Sequence, residues 1–167
     1  TPKSLLRHKL AVSKLAEFGP GTTFHRLLWD DNATLADKKI KRVVLCTGKV
    51  YYDLFEEREK RGIEDVYIMR VEQLYPFPRR EVKAELERFA SAKNVIWCQE
   101  EPMNQGAWYQ IAHHLQVSLG DRQKLHYAGR PRSPAPAAGH YQTHVVEQAA
   151  LVEQALAAKL NGDHASE

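Results

Sequence analysis

A chain of 167 residues with 43% hydrophobic content holds enough apolar material for one core and one domain. Its 24 Lys and Arg residues are interspersed with 21 Asp and Glu, and the resulting net charge of +3 excludes the basic face that a nucleic-acid partner requires. No apolar run approaches the roughly 18 residues of a membrane-spanning helix, so a membrane is not an expected partner either.

Residues 1–40 read as a lead-in segment packing on the core. Its first part, "KSLLRHKLAVSKLAEFG", suits a short helix with Leu5, Val12 and Ala16 inward, and "GTTFHRLLWD" suits an additional strand or an extended arm. From Lys41 onward strand and helix periods alternate. "KRVVLCTG" is a β-branched run closed by Gly48, and the helix after it places Val50, Leu54 and Arg58 on one face before Gly62. "DVYIMRVEQL" predicts a second strand, followed after Pro76 and Pro78 by a helix with Val82, Leu86 and Phe89 inward. "NVIWCQE" predicts a third, and the helix from about Ala107 carries a stripe of Trp108, Ile111, Ala112, Leu115 and Leu119, ended by Gly120. "KLHYAG" is a shorter strand, and "YAGRPRSPAPAAGH" is too rich in Pro, Ala and Gly to continue a helix or central strand. The last helix is expected to be capped by Thr143, with Val145, Ala149, Val152, Leu156 and Leu160 as its seam. This alternation predicts an α/β fold, a three-layer α/β/α sandwich with a mainly parallel sheet of about five strands. The core is placed over residues 41–162, with 163–167 a disordered tail. Cys46 and Cys98 stand alone in apolar runs and read as small buried thiols of a reducing compartment.

The segment "WCQEEPMNQGAW", residues 97–108, resembles catalytic equipment, because adjacent acids precede a glycine at a strand-to-helix junction. In a strand, however, Glu100 and Glu101 point to opposite faces and cannot converge on one small substrate. A structural or interface role is expected for Glu100, Glu101, Gly106 and Trp108, the carboxylates lying near the free N–H groups that open the next helix. "TGK" has one glycine where a phosphate loop needs two around four residues, so Gly48 serves a tight turn. His113 and His114, about 100° apart on a helix, cannot chelate one ion, and no metal site is expected. Lys3, Arg7 and Lys9 form a small basic cluster; on a helix Lys3 and Arg7 would sit one turn apart, in reach of a phosphate-bearing ligand.

Taken in order, "TPKSLLRHKLAVS", "VVLCTGKVYYDLFEER", "EDVYIMRVEQLYPFP", "VIWCQEEPMNQGAW" and "YAGRPRSPAPAAG" resemble the C-terminal end of the thiamine diphosphate-dependent component of 2-oxoglutarate dehydrogenase. The resemblance covers nearly the whole chain and implies a transketolase C-terminal-domain-like unit. With Thr1 in place of an initiator methionine, it suggests a domain taken from a much longer enzyme. By resemblance, that parent decarboxylates 2-oxoglutarate on thiamine diphosphate and passes the succinyl group to a lipoyl arm of the dihydrolipoyl succinyltransferase core. Thiamine diphosphate and Mg²⁺ would be held by the two preceding domains and none by this fragment, which would be inactive alone and would support a homodimer. A bacterial cytoplasm or a mitochondrial matrix is the implied location. Some relatives bind an acyl-CoA or nucleotide activator near this domain, which makes an effector-binding module, with Lys3 and Arg7 as contacts, the alternative.

Overall fold

The computed structural model describes residues 2–30, 32 and 35–157. β-Branched and aromatic runs form strands here because both pleat faces can be covered. These strands are β1 (Leu27–Leu28), β2 (Arg42–Cys46), β3 (Val66–Val71), β4 (Asn94–Pro102) and β5 (Lys124–Arg130), joined in one sheet of order β1-β3-β2-β4-β5. All neighbours are parallel except β1, which runs antiparallel to β3 at the edge. In the central register Val43 lies opposite Tyr67 and Val95, and Cys46 opposite Arg70 and Cys98.

Four helices cover the sheet: α1 (Val50–Arg61), α2 (Arg79–Arg88), α3 (Trp108–Gln116) and α4 (Tyr141–Leu156). On one face Val43, Leu45, Met69, Val95 and Trp97 pack with Val82, Leu86 and Phe89 from α2 and its end, and with Ile111 and Leu115 of α3. On the other, Val44, Cys46, Ile68, Ile96 and Cys98 pack with Val50, Tyr51 and Leu54 of α1 and Leu151, Val152, Ala155 and Leu156 of α4. Consecutive strand residues thus enter opposite cores, and each fully buried Leu, Ile or Val contributes about 1.5–3 kcal/mol. The layered α/β/α fold expected from the alternation is found, and Val50, Leu54, Arg58, Val82, Leu86 and Phe89 are all buried as expected.

Several boundaries and faces differ. Helix α3 stops at Val117, before Gly120: Ser118 Oγ takes the His114 carbonyl at 2.8 Å, and the Gly120 amide is used by Gln123 Oε1. Of the expected stripe only Ile111 and Leu115 are buried, with Trp108, Ala112 and Leu119 partly so. Helix α4 is entered from His140, whose carbonyl accepts from His144 N at 3.0 Å, so Thr143 lies inside the first turn and caps nothing. Val145 and Ala149 are exposed, while Val152 and Leu156 are buried as expected and Leu160 falls outside the described residues. The expected end of the core at 162 and the tail over 163–167 fall outside them too.

The lead-in is not a continuous helix. It makes 3₁₀ turns at Lys3–Leu5 and Leu15–Phe18, with Leu5 and Ala11 partly buried against the α1/α4 core but Val12 and Ala16 exposed. A short segment with no continuous face to bury does not sustain an α-helix. Of the readings open for "GTTFHRLLWD", the strand is found, reduced to Leu27–Leu28. The loop expected after "YAG" begins at Pro131, because Tyr127–Arg130 completes β5.

Candidate functional site

Helix α1 leaves β2 on one face of the sheet and α3 leaves β4 on the other. The carboxyl ends of these neighbouring strands therefore flank a crevice, the usual place for ligands in open α/β sheets. Gly48 (φ 68°) adopts the left-handed turn that carries the chain from β2 into α1 and sets Lys49 at the helix entrance. Lys49 Nζ pairs with Glu100 of β4 and lies 3.8 Å from Asp53 Oδ2. Gln148 of α4 donates through Nε2 to both carboxylates, at 2.7 Å to Asp53 and 3.0 Å to Glu100. Beyond it, Arg130 Nη2 lies 3.4 Å from Gln148 Oε1 and 2.8 Å from His144 Nδ1, and Arg130 Nε is 3.2 Å from Glu147 Oε2 without an aligned hydrogen bond. One polar chain thus runs from α1 across β4 and β5 to α4.

The arrangement closes rather than opens the crevice. Each carboxylate that could serve as an acid or base already faces a cation or an amide. The expected divergence of Glu100 and Glu101 is seen: Glu100 enters this network, whereas the exposed Glu101 lies on the opposite side, beside Gly106. Gly106 (φ 64°) has no room for a side chain, since a Cβ would sit 3.0 Å from Glu101 Cβ and 3.1 Å from Gln99 Nε2. Trp108 is partly buried, its ring 5.1 Å from that of Tyr127. Its amide opens α3 and donates to Gln99 Oε1 at 3.0 Å, so the helix-end role expected of Glu100 and Glu101 belongs to their neighbour. Gln99 also accepts from Trp97 Nε1 at 3.0 Å and donates to the carbonyls of Glu101, Pro102 and Gln105. Sequence reasoning missed this organiser of the β4–α3 loop because a neutral amide at the end of an apolar run carries no charge pattern.

Lys3 and Arg7 are both exposed, Lys3 in a single 3₁₀ turn and Arg7 beyond it, so the helical spacing that would align them is absent. Cys46 and Cys98 are fully buried, and burial, reinforced by nearby negative charge, pushes both thiols well above their ordinary range, leaving them protonated and unreactive. A shallow cavity of about 450 Å³ lies at the opposite, amino end of the sheet. Its Lys39 and Lys41 are paired with Glu64 and Asp65 at 3.5 and 3.3 Å, so it offers no convergent charge.

Among the described residues no group of three or more His, Cys, Asp or Glu side chains could hold a metal ion. His113 and His114 stack on each other with ring centroids 3.9 Å apart, and Phe77 lies flat against His114. The donor set does not fit a diphosphate with its divalent cation: the carboxylates at the sheet's carboxyl end are committed to Lys49 and Gln148, and the entrance of α1 has one glycine. No helix among the described residues is long and apolar enough to cross a membrane.

A family model described as 2-oxoglutarate dehydrogenase C-terminal matches residues 12–156. The chain is 54% identical over 168 aligned positions to the 2-oxoglutarate dehydrogenase E1 component of Brucella abortus strain S19, covering 93% of this chain and 17% of that protein. The E1 components of Brucella ovis and Brucella melitensis biotype 2 give the same figures. The chain thus spans 17% of the length of these curated relatives. A solved structure described as split gene transketolase, inactive beta4 tetramer, superposes with a TM-score of 0.52 at 14% identity, over 83% of this chain and 44% of that one. At that identity the likeness is one of fold alone.

Proposed function

Because the chain belongs to the 2-oxoglutarate dehydrogenase C-terminal family, we propose that it is the C-terminal assembly domain of an E1 component whose remaining portions carry out the chemistry. The parent decarboxylates 2-oxoglutarate with thiamine diphosphate and Mg²⁺ and transfers the succinyl group to a lipoyl arm of a succinyltransferase. It works as a homodimer in a bacterial cytoplasm or mitochondrial matrix. The residues of this chain do not fit the cofactor, and no step of decarboxylation is assigned to them. Their contribution is to bind α1, α4 and the carboxyl ends of β4 and β5 into one unit, which gives the rest of the parent a rigid body to assemble against.

One observation carries this reading: the polar network at the carboxyl end of the sheet, where a catalytic crevice would lie, is satisfied from within by Lys49, Asp53, Glu100 and Gln148. A network of this kind fixes the relation of its elements. The alternative, an effector module with Lys3 and Arg7 as phosphate contacts, has only their charge for support.

The test compares the full-length parent with this chain alone, each supplied with 2-oxoglutarate, thiamine diphosphate and Mg²⁺. Carbon dioxide release is expected from the parent and not from the chain. Turnover by the chain alone, or a parent that binds the cofactor yet leaves 2-oxoglutarate untouched, would sink the proposal.

A further inference from the structure

Residues 2–30 wrap the β3 edge of the sheet and are pinned along their inner side. Leu5 and Ala11 pack on the α1/α4 core, and the His8 ring lies 4.9 Å from Tyr52 of α1 with its Nε2 3.4 Å from Glu56. Leu27 and Leu28 pair with Val71 and Arg70, and Arg26 reaches Glu81 of α2 at 3.3 Å. The outer side is apolar. Leu6, Leu10, Val12, Leu15, Phe18 and Phe24 are between 41% and 87% exposed. So dense a run of exposed large side chains on a tethered segment marks an interaction surface rather than scattered surface hydrophobics. Interleaved with it are Lys3, Arg7, Lys9 and Lys14, against one carboxylate, Glu17.

We propose that this outer face of the lead-in is the docking surface for the remainder of the parent polypeptide, which meets it with an apolar patch fringed by Asp and Glu. The proposal rests on the family reading above and names the surface that assembly uses. Two observations choose this occupant. The chain spans only 17% of the length of its E1 relatives, so most of a parent lies outside it and is available in cis. A second copy is the wrong partner, because a two-fold contact places the same surface on both sides, and Lys3, Arg7, Lys9 and Lys14 would then oppose their own like.

The experiment is amide hydrogen exchange read by mass spectrometry on peptides spanning residues 6–24, in the full-length parent and in this chain alone. These amides are expected to exchange about tenfold more slowly in the parent. In the parent, Leu15→Ser with Phe18→Ser, and separately Lys9→Glu with Lys14→Glu, should each restore fast exchange in the lead-in. Peptides from β4 and α2 should stay protected, which separates undocking from unfolding. Equal exchange in parent and isolated chain overturns the proposal. Protection that grows with concentration in the isolated chain would assign the surface to a second copy instead, and an unmoved Lys9→Glu, Lys14→Glu variant would remove the acidic fringe. A parent active on 2-oxoglutarate with an unprotected lead-in defeats this inference alone, and an inactive parent with a protected lead-in defeats the activity alone.

Discussion

Arg58 sits at a position that helical periodicity marks as inward, yet it is a charge with 0% exposure. The structure resolves the conflict with Asp30. The carboxylate is gripped by both terminal nitrogens of the guanidinium and also accepts the Ile68 amide at 2.7 Å, while Arg58 Nη1 donates to the Val66 carbonyl at 3.2 Å. Burial works against the charge, and the hydrogen bond and charge of Asp30 outweigh it, so the guanidinium is held above its ordinary value. Sequence placed Arg58 on the core face but could not name a partner that lies outside the helix in the lead-in. Asp30→Ala leaves a buried cation unpaired and is expected to cost about 3–5 kcal/mol in denaturant unfolding. A loss below about 1 kcal/mol would mean that solvent reaches the guanidinium. The buried thiols act at the alkaline limit. The unfolded chain releases thiol protons near the ordinary value of 9.0, whereas the folded chain keeps those of Cys46 and Cys98. Folded protein therefore holds more protons above that pH, and its stability, complete below it, falls as pH rises. Tyr67 and Tyr127, raised chiefly by burial, add to the same limb at higher pH. Cys46→Ala with Cys98→Ala is expected to flatten the fall in melting temperature between about pH 8.5 and 10 relative to the parent sequence. An unchanged slope would show that the thiols titrate alike in both states.

Among the elements, α1 and α2 were legible because their buried faces lie against continuous core, where apolar spacing and burial coincide. Helix α4 was not. Its inward stripe runs through His144, Glu147, Gln148, Leu151, Val152 and Ala155: it opens on polar residues that meet Arg130, Asp53 and Glu100, and becomes apolar only in its second half. A search for apolar periodicity chose the neighbouring stripe through Val145 and Ala149, about one residue out of phase. The site was hidden for the same reason, since Gln148 and Gln99, the residues that organise it, are uncharged and their partners are distant in sequence. Gln148→Leu removes the donor that two carboxylates share and is expected to destabilise α4 docking by about 1–3 kcal/mol. Limited proteolysis should then cut within 141–150 while β2 to β4 stay resistant, and Val145→Ala should leave the rate unchanged. Equal cleavage of wild type and Gln148→Leu would mean that the apolar half of α4 alone holds it down.

At the scale of the molecule, the layered fold could be read from alternation alone, since helices following strands have few economical packings, whereas the lead-in could not, because irregular chain takes its shape from what it lies against. The opposed directions of Glu100 and Glu101 survive folding and now separate two roles. Glu100 neutralises Lys49 and accepts from Gln148 inside the domain, whereas Glu101 is exposed and its backbone carbonyl, not its carboxylate, is used by Gln99. If both serve architecture, Glu100→Gln in the full-length parent should lower the unfolding temperature of this domain and weaken dimer association through it, with carbon dioxide release falling only as dimers are lost. Glu101→Gln should leave the domain's melting temperature in place, and any weakening of association would then come from contacts outside the domain. Sedimentation equilibrium, calorimetry and a decarboxylation assay on the same preparations separate these outcomes. The decisive comparison is activity per assembled dimer. A Glu100→Gln parent that stays dimeric and binds thiamine diphosphate normally, yet no longer decarboxylates 2-oxoglutarate, would move Glu100 from the scaffold into the chemistry.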